Sequence, residues 1–351
     1  MNLYSEKPEA ANHYRKEILA QMESLIKSKR SESDSQRERF FDPDFSSEQA
    51  YEADIHKYRR QFKEMLGWPL TLPAPETVPS AREKFIAEDD LGRIYRIWIE
   101  TLPGLETYGL LFLPLGKGPH PLIISQHGGG GTPELCSGFL GSANYNDMSR
   151  RVLRRGFAVF APQLSMWRDD FGPTANRNQI DIQLKQIGGS IAALDIWQLQ
   201  RSLDLLTARK DIDDKRIGMI GLSWGGFYTL ITAAVETRIQ VAVASCFFSN
   251  RYVYDMSPAV WFNSGNTFLD AEIAGMVCPR SLYIEVGKQD ELFDVCHAQP
   301  EAQKVAKFYD KLGIPERFIY KEHEGGHELD KSDDGIKFLS KHLQKKCEWN
   351  E

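Results

Sequence analysis

Gly221-Leu222-Ser223-Trp224-Gly225, followed by Gly226, sets a serine between glycines. The string alone carries little weight, because Gly and Ser are each about 7% of residues and the G-x-S-x-G spacing arises by chance. Its context carries more. The run Arg216-Ile217-Gly218-Met219-Ile220 before it reads as a buried strand, and Gly226 to Val235 after it reads as a helix, so Ser223 stands on a strand-to-helix turn. Such a turn is strained and exposes the hydroxyl, and glycines on either side spare it collisions. A serine that only caps a helix after a buried strand is the plain alternative. A serine hydroxyl is a poor nucleophile until a base takes its proton, so the chemistry needs a histidine and an acid that orients it, and in folds that carry the serine on such a strand-to-helix turn they follow it in the order Asp or Glu, then His. Asp290 follows the apolar run Ser281 to Val286 in a turn, and Glu291 and Asp294 compete with it for the acid's role. His327 stands in Glu324-Gly325-Gly326-His327, whose glycines let a loop present an imidazole; His323 competes but lies nearer the preceding strand.

An acyl carbonyl attacked by a serine becomes an oxyanion, and amides must already face the place where that charge forms. His127-Gly128-Gly129-Gly130-Gly131 follows the apolar run Pro121 to Ser125 and offers the amides of Gly128 and Gly129, to be joined by that of Trp224 after the nucleophile. A mobile glycine turn is the plain alternative. A rival motif overlaps the histidine loop, since His323-Glu324-Gly325-Gly326-His327 also reads H-E-x-x-H. Two histidines at that spacing reach one zinc ion only on a helix, and paired glycines in one turn cost about 1 kcal/mol each relative to alanine. The zinc reading is set aside on that ground, and no metal or organic cofactor is expected.

Positioning these residues falls to the elements around them. Ile94 to Ile99 and Tyr108 to Leu113 read as an antiparallel pair of strands. Then Pro121 to Ser125, Phe157 to Ala161, Ile217 to Ile220, Ile239 to Ala244, Ser281 to Val286 and Arg317 to Tyr320 read as buried strands. Helix candidates alternate with them: Tyr145 to Arg155, Ile191 to Ala208, Gly225 to Val235, Pro300 to Leu312 and Ser332 to Lys346. The alternation predicts an α/β fold with a mostly parallel sheet flanked by helices, and chemistry in loops beyond the carboxyl ends of its strands. Ahead of it, Ile18, Leu19, Met22, Leu25 and Ile26 form one helical stripe that the polar run Ser31 to Arg39 ends. Tyr51, Ile55, Tyr58, Phe62 and Leu66 form a second, stopped at Gly67 and Pro69. Residues 1–80 are therefore expected as a helical extension packed on a catalytic domain of residues 81–351. Trp167-Arg168-Asp169-Asp170 is a candidate pocket wall or a charged surface loop, and the aromatic stretch Phe247 to Met276 a lid, an acyl-binding wall or ordinary packing.

Bulk properties narrow the partners. The 351 residues, 42% hydrophobic and 26% charged, suit a globular chain, and a formal charge of -6 leaves no basic footprint for nucleic acid. Five scattered cysteines without a CxxC pair suggest reduced thiols rather than a disulfide framework or a zinc site. A polar first segment and the lack of about 18 consecutive apolar residues argue against export and membrane insertion, so a cytoplasmic location is expected.

GLSWGG after DIDDKRIGMI, HGGGG after an early strand, the VGKQDELF turn, the late GGH, MLGWP and CPRSLYIEVGKQD together resemble α/β-hydrolases related to dienelactone hydrolases and acetyl xylan esterases, over residues 50–345. The resemblance implies an α/β-hydrolase fold with Ser223 as nucleophile, Asp290 as acid and His327 as base. Where dienelactone hydrolases carry cysteine this chain has Ser223, which turns the expectation toward carboxyl-ester hydrolysis of short acyl or acetyl esters. An oligopeptidase-like serine peptidase and a catalytically inactive binding protein of the same fold are the alternatives, although no repeat of about 40 to 50 residues announces the propeller that oligopeptidases carry. The expected partner is a small-molecule ester, no substrate-binding residue is assigned, and the N-terminal helices are candidate material for a homo-oligomeric interface.

Overall fold

A computed structural model describes residues 1–165, 177–253 and 256–343. They divide into two compact units, one of Met1–Asp42 with Asn263–Phe268 and one of the remaining residues from Pro43 onward.

In the smaller unit, helix α1 runs Pro8–Phe40 without a break. The polar run expected to end it holds neither Gly nor Pro, and Lys29–Glu32 and Asp34–Arg37 pairs one turn apart continue the helix through it. Along its apolar stripe Ile18, Met22 and Leu25 are each more than half exposed. At the other end of the helix Arg37 is buried and donates to the Gly265 carbonyl at 2.6 Å, and Phe40 and Phe41 pack edge-on against Phe268.

In the larger unit α2 (Glu48–Leu66) is capped by Ser47, whose hydroxyl accepts from the Ala50 amide, and stops at Gly67 with φ 83°. Its stripe Tyr51, Ile55, Tyr58, Phe62 and Leu66 is buried, and the Tyr51 hydroxyl donates to the Gly275 carbonyl. Among the described residues nine strands follow: β1 (Ala81–Asp89), β2 (Gly92–Leu102), β3 (Leu105–Pro114), β4 (His120–Gln126), β5 (Ala158–Pro162), β6 (Ile212–Leu222), β7 (Ile239–Ser245), β8 (Ser281–Gly287) and β9 (Phe318–His323). They form one sheet in the order β1-β2-β3-β5-β4-β6-β7-β8-β9. The strands from β5 through β9 in that order run parallel, while β1, β2 and β3 join antiparallel. This is the mixed, mostly parallel α/β sheet expected. Strand β1 escaped the sequence reading because an edge strand written AREKFIAED is charged and exposed, so it lacks the apolar run that marks a buried one.

Helices α3 (Pro133–Cys136), α4 (Met148–Leu153), α5 (Arg177–Gln186), α6 (Ile191–Thr207), α7 (Trp224–Val235), α8 (Ser264–Thr267, in the smaller unit), α9 (Asp270–Val277), α10 (Val295–Lys311) and α11 (Asp334–Leu343) complete the described α-helices. α10 begins before Pro300 because Asp294 caps it, accepting from the Cys296 amide. Ile123, Val159, Ile220, Val241 and Val243 from the central strands are buried with Ile336, Leu339 and Leu343 of α11. Each such side chain contributes about 1.5–3 kcal/mol on burial, which makes this layer the rigid base from which the loops project. No helix of the described residues is long and apolar enough to cross a membrane. The Trp167–Asp170 pocket wall considered above lies outside the described residues.

Candidate active site

Parallel strands place their carboxyl ends together, and five of them deliver the residues of interest: His127 after β4, Ser223 after β6, Cys246 after β7, Asp290 after β8 and His327 after β9. Ser223 sits at φ 60° and ψ -126°, a conformation that strains any residue with a side chain. The turn is held on both sides: the Ser223 amide donates to the Ser245 carbonyl at 2.8 Å, and the Ser223 carbonyl accepts from the Phe227 amide at 2.9 Å. Its two motif glycines are there for lack of space. A Cβ on Gly221 would lie 2.3 Å from the Gly225 carbonyl oxygen, and one on Gly225 would lie 2.1 Å from that of Gln126.

Asp290 and His327 meet, with Nδ1 of His327 2.8 Å from Oδ2 of Asp290. The other carboxylate oxygen, Oδ1, accepts from the amides of Leu292 and Phe293 at 2.8 and 3.1 Å. Burial by itself would raise the Asp290 pKa, but the His327 bond and these two amides outweigh it and hold the carboxyl below its ordinary range. An acid facing Nδ1 favours the neutral tautomer that carries its proton there, with Nε2 as the accepting nitrogen. Phe293 stacks on the imidazole, with centroids 5.4 Å apart, and Phe247 links Phe293 to Trp224 beside the serine. No hydrogen bond joins Ser223 Oγ to His327 in this structure, and catalytic hydrogen bonds of this kind commonly tighten only with substrate bound. Of the competing residues, Asp294 is spent on the cap of α10, Glu291 is exposed, and His323 ends β9 with Nδ1 accepting from the Gly325 amide.

The glycine loop lies against the nucleophile, since a Cβ on Gly128 would fall 2.9 Å from that of Ser223. One of its expected amides is not free, however. The Gly128 N–H donates to the Tyr145 hydroxyl at 2.9 Å, and an amide has a single hydrogen, so Gly128 cannot at the same time serve an oxyanion. The exposed Gly129 and Trp224, first residue of α7, are the remaining expected donors. His127 holds the loop from beneath: its Nδ1 is 2.8 Å from the Gly128 carbonyl, its Nε2 accepts from the Leu164 amide, and complete burial lowers its pKa to about 4.

The H-E-x-x-H segment has no helical frame, because His323 ends a strand and bends follow it. Among the described residues one group offers converging metal-ligand atoms, Cys246, Asp290 and His327, all within 4.8 Å. Two of its three members are already joined to each other, and burial pushes the Cys246 thiol up to about 12, so it is a weak ligand at neutral pH. In the aromatic stretch, Phe247 packs beside the site, Trp261 is buried edge-on against Phe62, and Phe262 is exposed.

Three contributors were not singled out from sequence. Cys246 donates from Sγ to the Glu328 carbonyl, Asn144 donates from Nδ2 to the His327 carbonyl, and Tyr145 was read as the start of a helix, whereas α4 begins at Met148. Asn144-Tyr145-Asn146 is an Asn-rich turn, and nothing local to it indicates that it touches residues 183 positions away.

Comparison with known proteins agrees with this architecture. The solved structures of a glucuronoyl esterase from Solibacter usitatus (TM-score 0.61, 13% identity, covering 83% of this chain and 92% of that one) and of acetyl xylan esterase 1 from Thermoanaerobacterium sp. JW/SL YS485 (TM-score 0.57, 16% identity, 83% and 94%) share the fold. The protein YtaP of Bacillus subtilis (strain 168) is 26% identical over 257 residues, 67% of this chain and 81% of its own. Residues 135–313, which include the turn bearing Ser223 and the turn bearing Asp290, match the model of the dienelactone hydrolase family. That match spans half of the chain, and the chain belongs to the dienelactone hydrolase family of ester hydrolases.

Proposed function

We propose that the protein is a serine carboxylic-ester hydrolase in which Ser223 is the nucleophile, His327 the general base and Asp290 the residue that orients it. The observation that carries this reading is the 2.8 Å Asp290–His327 bond, which leaves Nε2 as the basic nitrogen at the end of the sheet where the strained Ser223 turn also lies. Ser223 Oγ attacks the ester carbonyl while His327 Nε2 takes its proton. The tetrahedral oxyanion is held by the amides of Trp224 and Gly129. Collapse expels the alcohol, which receives the proton from His327 and leaves an acyl-serine. Water then gives a proton to His327 and attacks the acyl carbon, and return of that proton to Ser223 frees the carboxylic acid and restores the enzyme. The acyl group is proposed to be short, in keeping with the acetyl xylan esterase among the structural neighbours.

A fluorophosphonate probe tests the assignment. Chelator-independent labelling that maps to Ser223, lost together with turnover of p-nitrophenyl acetate in Ser223→Ala, is the expected result. A Ser223→Ala protein that keeps its esterase activity refutes it.

A further inference from the structure

The histidine loop poses a positioning problem. Two glycines precede His327 and the loop is formed of bends, so the bond to Asp290 fixes the ring's rotation but not the backbone that carries it. General-base catalysis needs the imidazole placed to within about 0.5 Å. The backbone is held from a segment remote in sequence. Asn144 Nδ2 donates to the His327 carbonyl at 3.0 Å, the Leu329 amide donates to the Asn144 carbonyl at 2.9 Å, and Asn146 Nδ2 donates to the Leu329 carbonyl at 2.6 Å and to Glu328 Oε2 at 3.1 Å. Between these two asparagines lies Tyr145, whose buried hydroxyl accepts the Gly128 amide at 2.9 Å, and Gly128 abuts Ser223. One short turn thus grips the loop bearing the base and the loop beside the nucleophile.

The backbone of this turn is unusual in a way that fits such a task. Ala143, Asn146 and Asp147 adopt φ of 44°, 48° and 57°, half of the six non-glycine residues with positive φ among those described. Asparagine tolerates that region and alanine does so poorly. The conformation is fixed internally by the Ser142 hydroxyl, which accepts from the Asp147 amide at 2.7 Å.

We propose that Asn144 and Tyr145 are positioning residues that lock the His327 loop and the glycine loop to each other, so that the turn 142–147 sets the distance from base to nucleophile and oxyanion donors. The inference rests on the serine-hydrolase reading. It predicts that Asn144→Asp, which keeps the side chain's size but removes the Nδ2 donor, lowers kcat for p-nitrophenyl acetate by about 10- to 100-fold with KM unchanged within about twofold. Tyr145→Phe, which releases the Gly128 amide, does the same by another route and serves if Asn144→Asp folds poorly. Combined, the two lose less than the product of their separate factors, because each disables the same clamp.

The test is active-site titration with a fluorophosphonate alongside steady-state kinetics. Full labelling stoichiometry with a slower rate at every site supports positioning. An unchanged rate per site overturns it, whether stoichiometry stays full or falls with the lost activity, since the turn would then serve only to keep the protein folded. Wild-type protein that labels away from Ser223 overturns the serine-hydrolase reading itself and this inference with it.

Discussion

Replacing Asp290 with asparagine tests the orienting role with little change of shape, and the structure dictates which way the new amide must face. Oδ1 accepts from the Leu292 and Phe293 amides, so in Asp290→Asn the carbonyl oxygen stays on that side and the NH2 points at His327. Nδ1 must then become an acceptor, which drives the imidazole proton onto Nε2, the atom proposed to receive the proton of Ser223. The side chain of Asp290 is fully buried, so no solvent replaces the missing charge. Loss of the correct tautomer by this exchange in a Ser-His-Asp triad costs about 10⁴ in kcat, equivalent to about 5.5 kcal/mol of transition-state stabilisation. The assay is kcat for p-nitrophenyl acetate from pH 6 to 9, with thermal melting to establish that the variant is folded. A folded Asp290→Asn enzyme within tenfold of the wild-type kcat would refute the reasoning.

Two further outcomes follow from the packing. Gly225→Ala forces a Cβ to 2.1 Å from the Gln126 carbonyl oxygen, which belongs to a central strand, so a loss of about 3 kcal/mol is expected together with loss of fluorophosphonate labelling; unchanged melting would show that the turn yields. Glu285 is buried beneath the histidine loop, accepting the Asp330 amide at 2.9 Å, and burial lifts its pKa to about 7 despite help from that amide and the Ser245 hydroxyl. Its unfolded value is about 4.3, so between these two pH values the folded protein holds the extra proton and stability falls as pH rises, the loss being complete above about 7. Glu285→Gln is therefore expected to gain melting temperature on the wild type between pH 5 and pH 8, and an equal difference at both pH values would contradict it.

What the chain determines by itself is the alternation of elements and the residues at strand ends. Buried parallel strands are apolar runs, so β4 to β8 were legible, whereas β9, expected as a buried strand at Arg317 to Tyr320, runs Phe318–His323 with only His323 buried; a glycine-flanked serine between strand and helix marks its own turn because only glycine fits where Gly221 and Gly225 meet backbone. The charged edge strand β1 was not legible, because its partner β2 supplies the pairing that its own composition does not suggest. Nor was the length of α1, since Ser31 to Arg39 is polar without being a helix breaker. Candidates for the proposed acid were narrowed by sequence to Asp290, Glu291 or Asp294, and only tertiary structure shows which of them meets His327, since that depends on where the chain turns after β8. The same holds for Gly128 and Asn144. Sequence can mark an amide as close to a nucleophile or an asparagine as part of a turn, but a hydrogen bond from Gly128 to Tyr145, or across 183 residues from Asn144 to His327, exists only once the sheet has brought separate loops to one end.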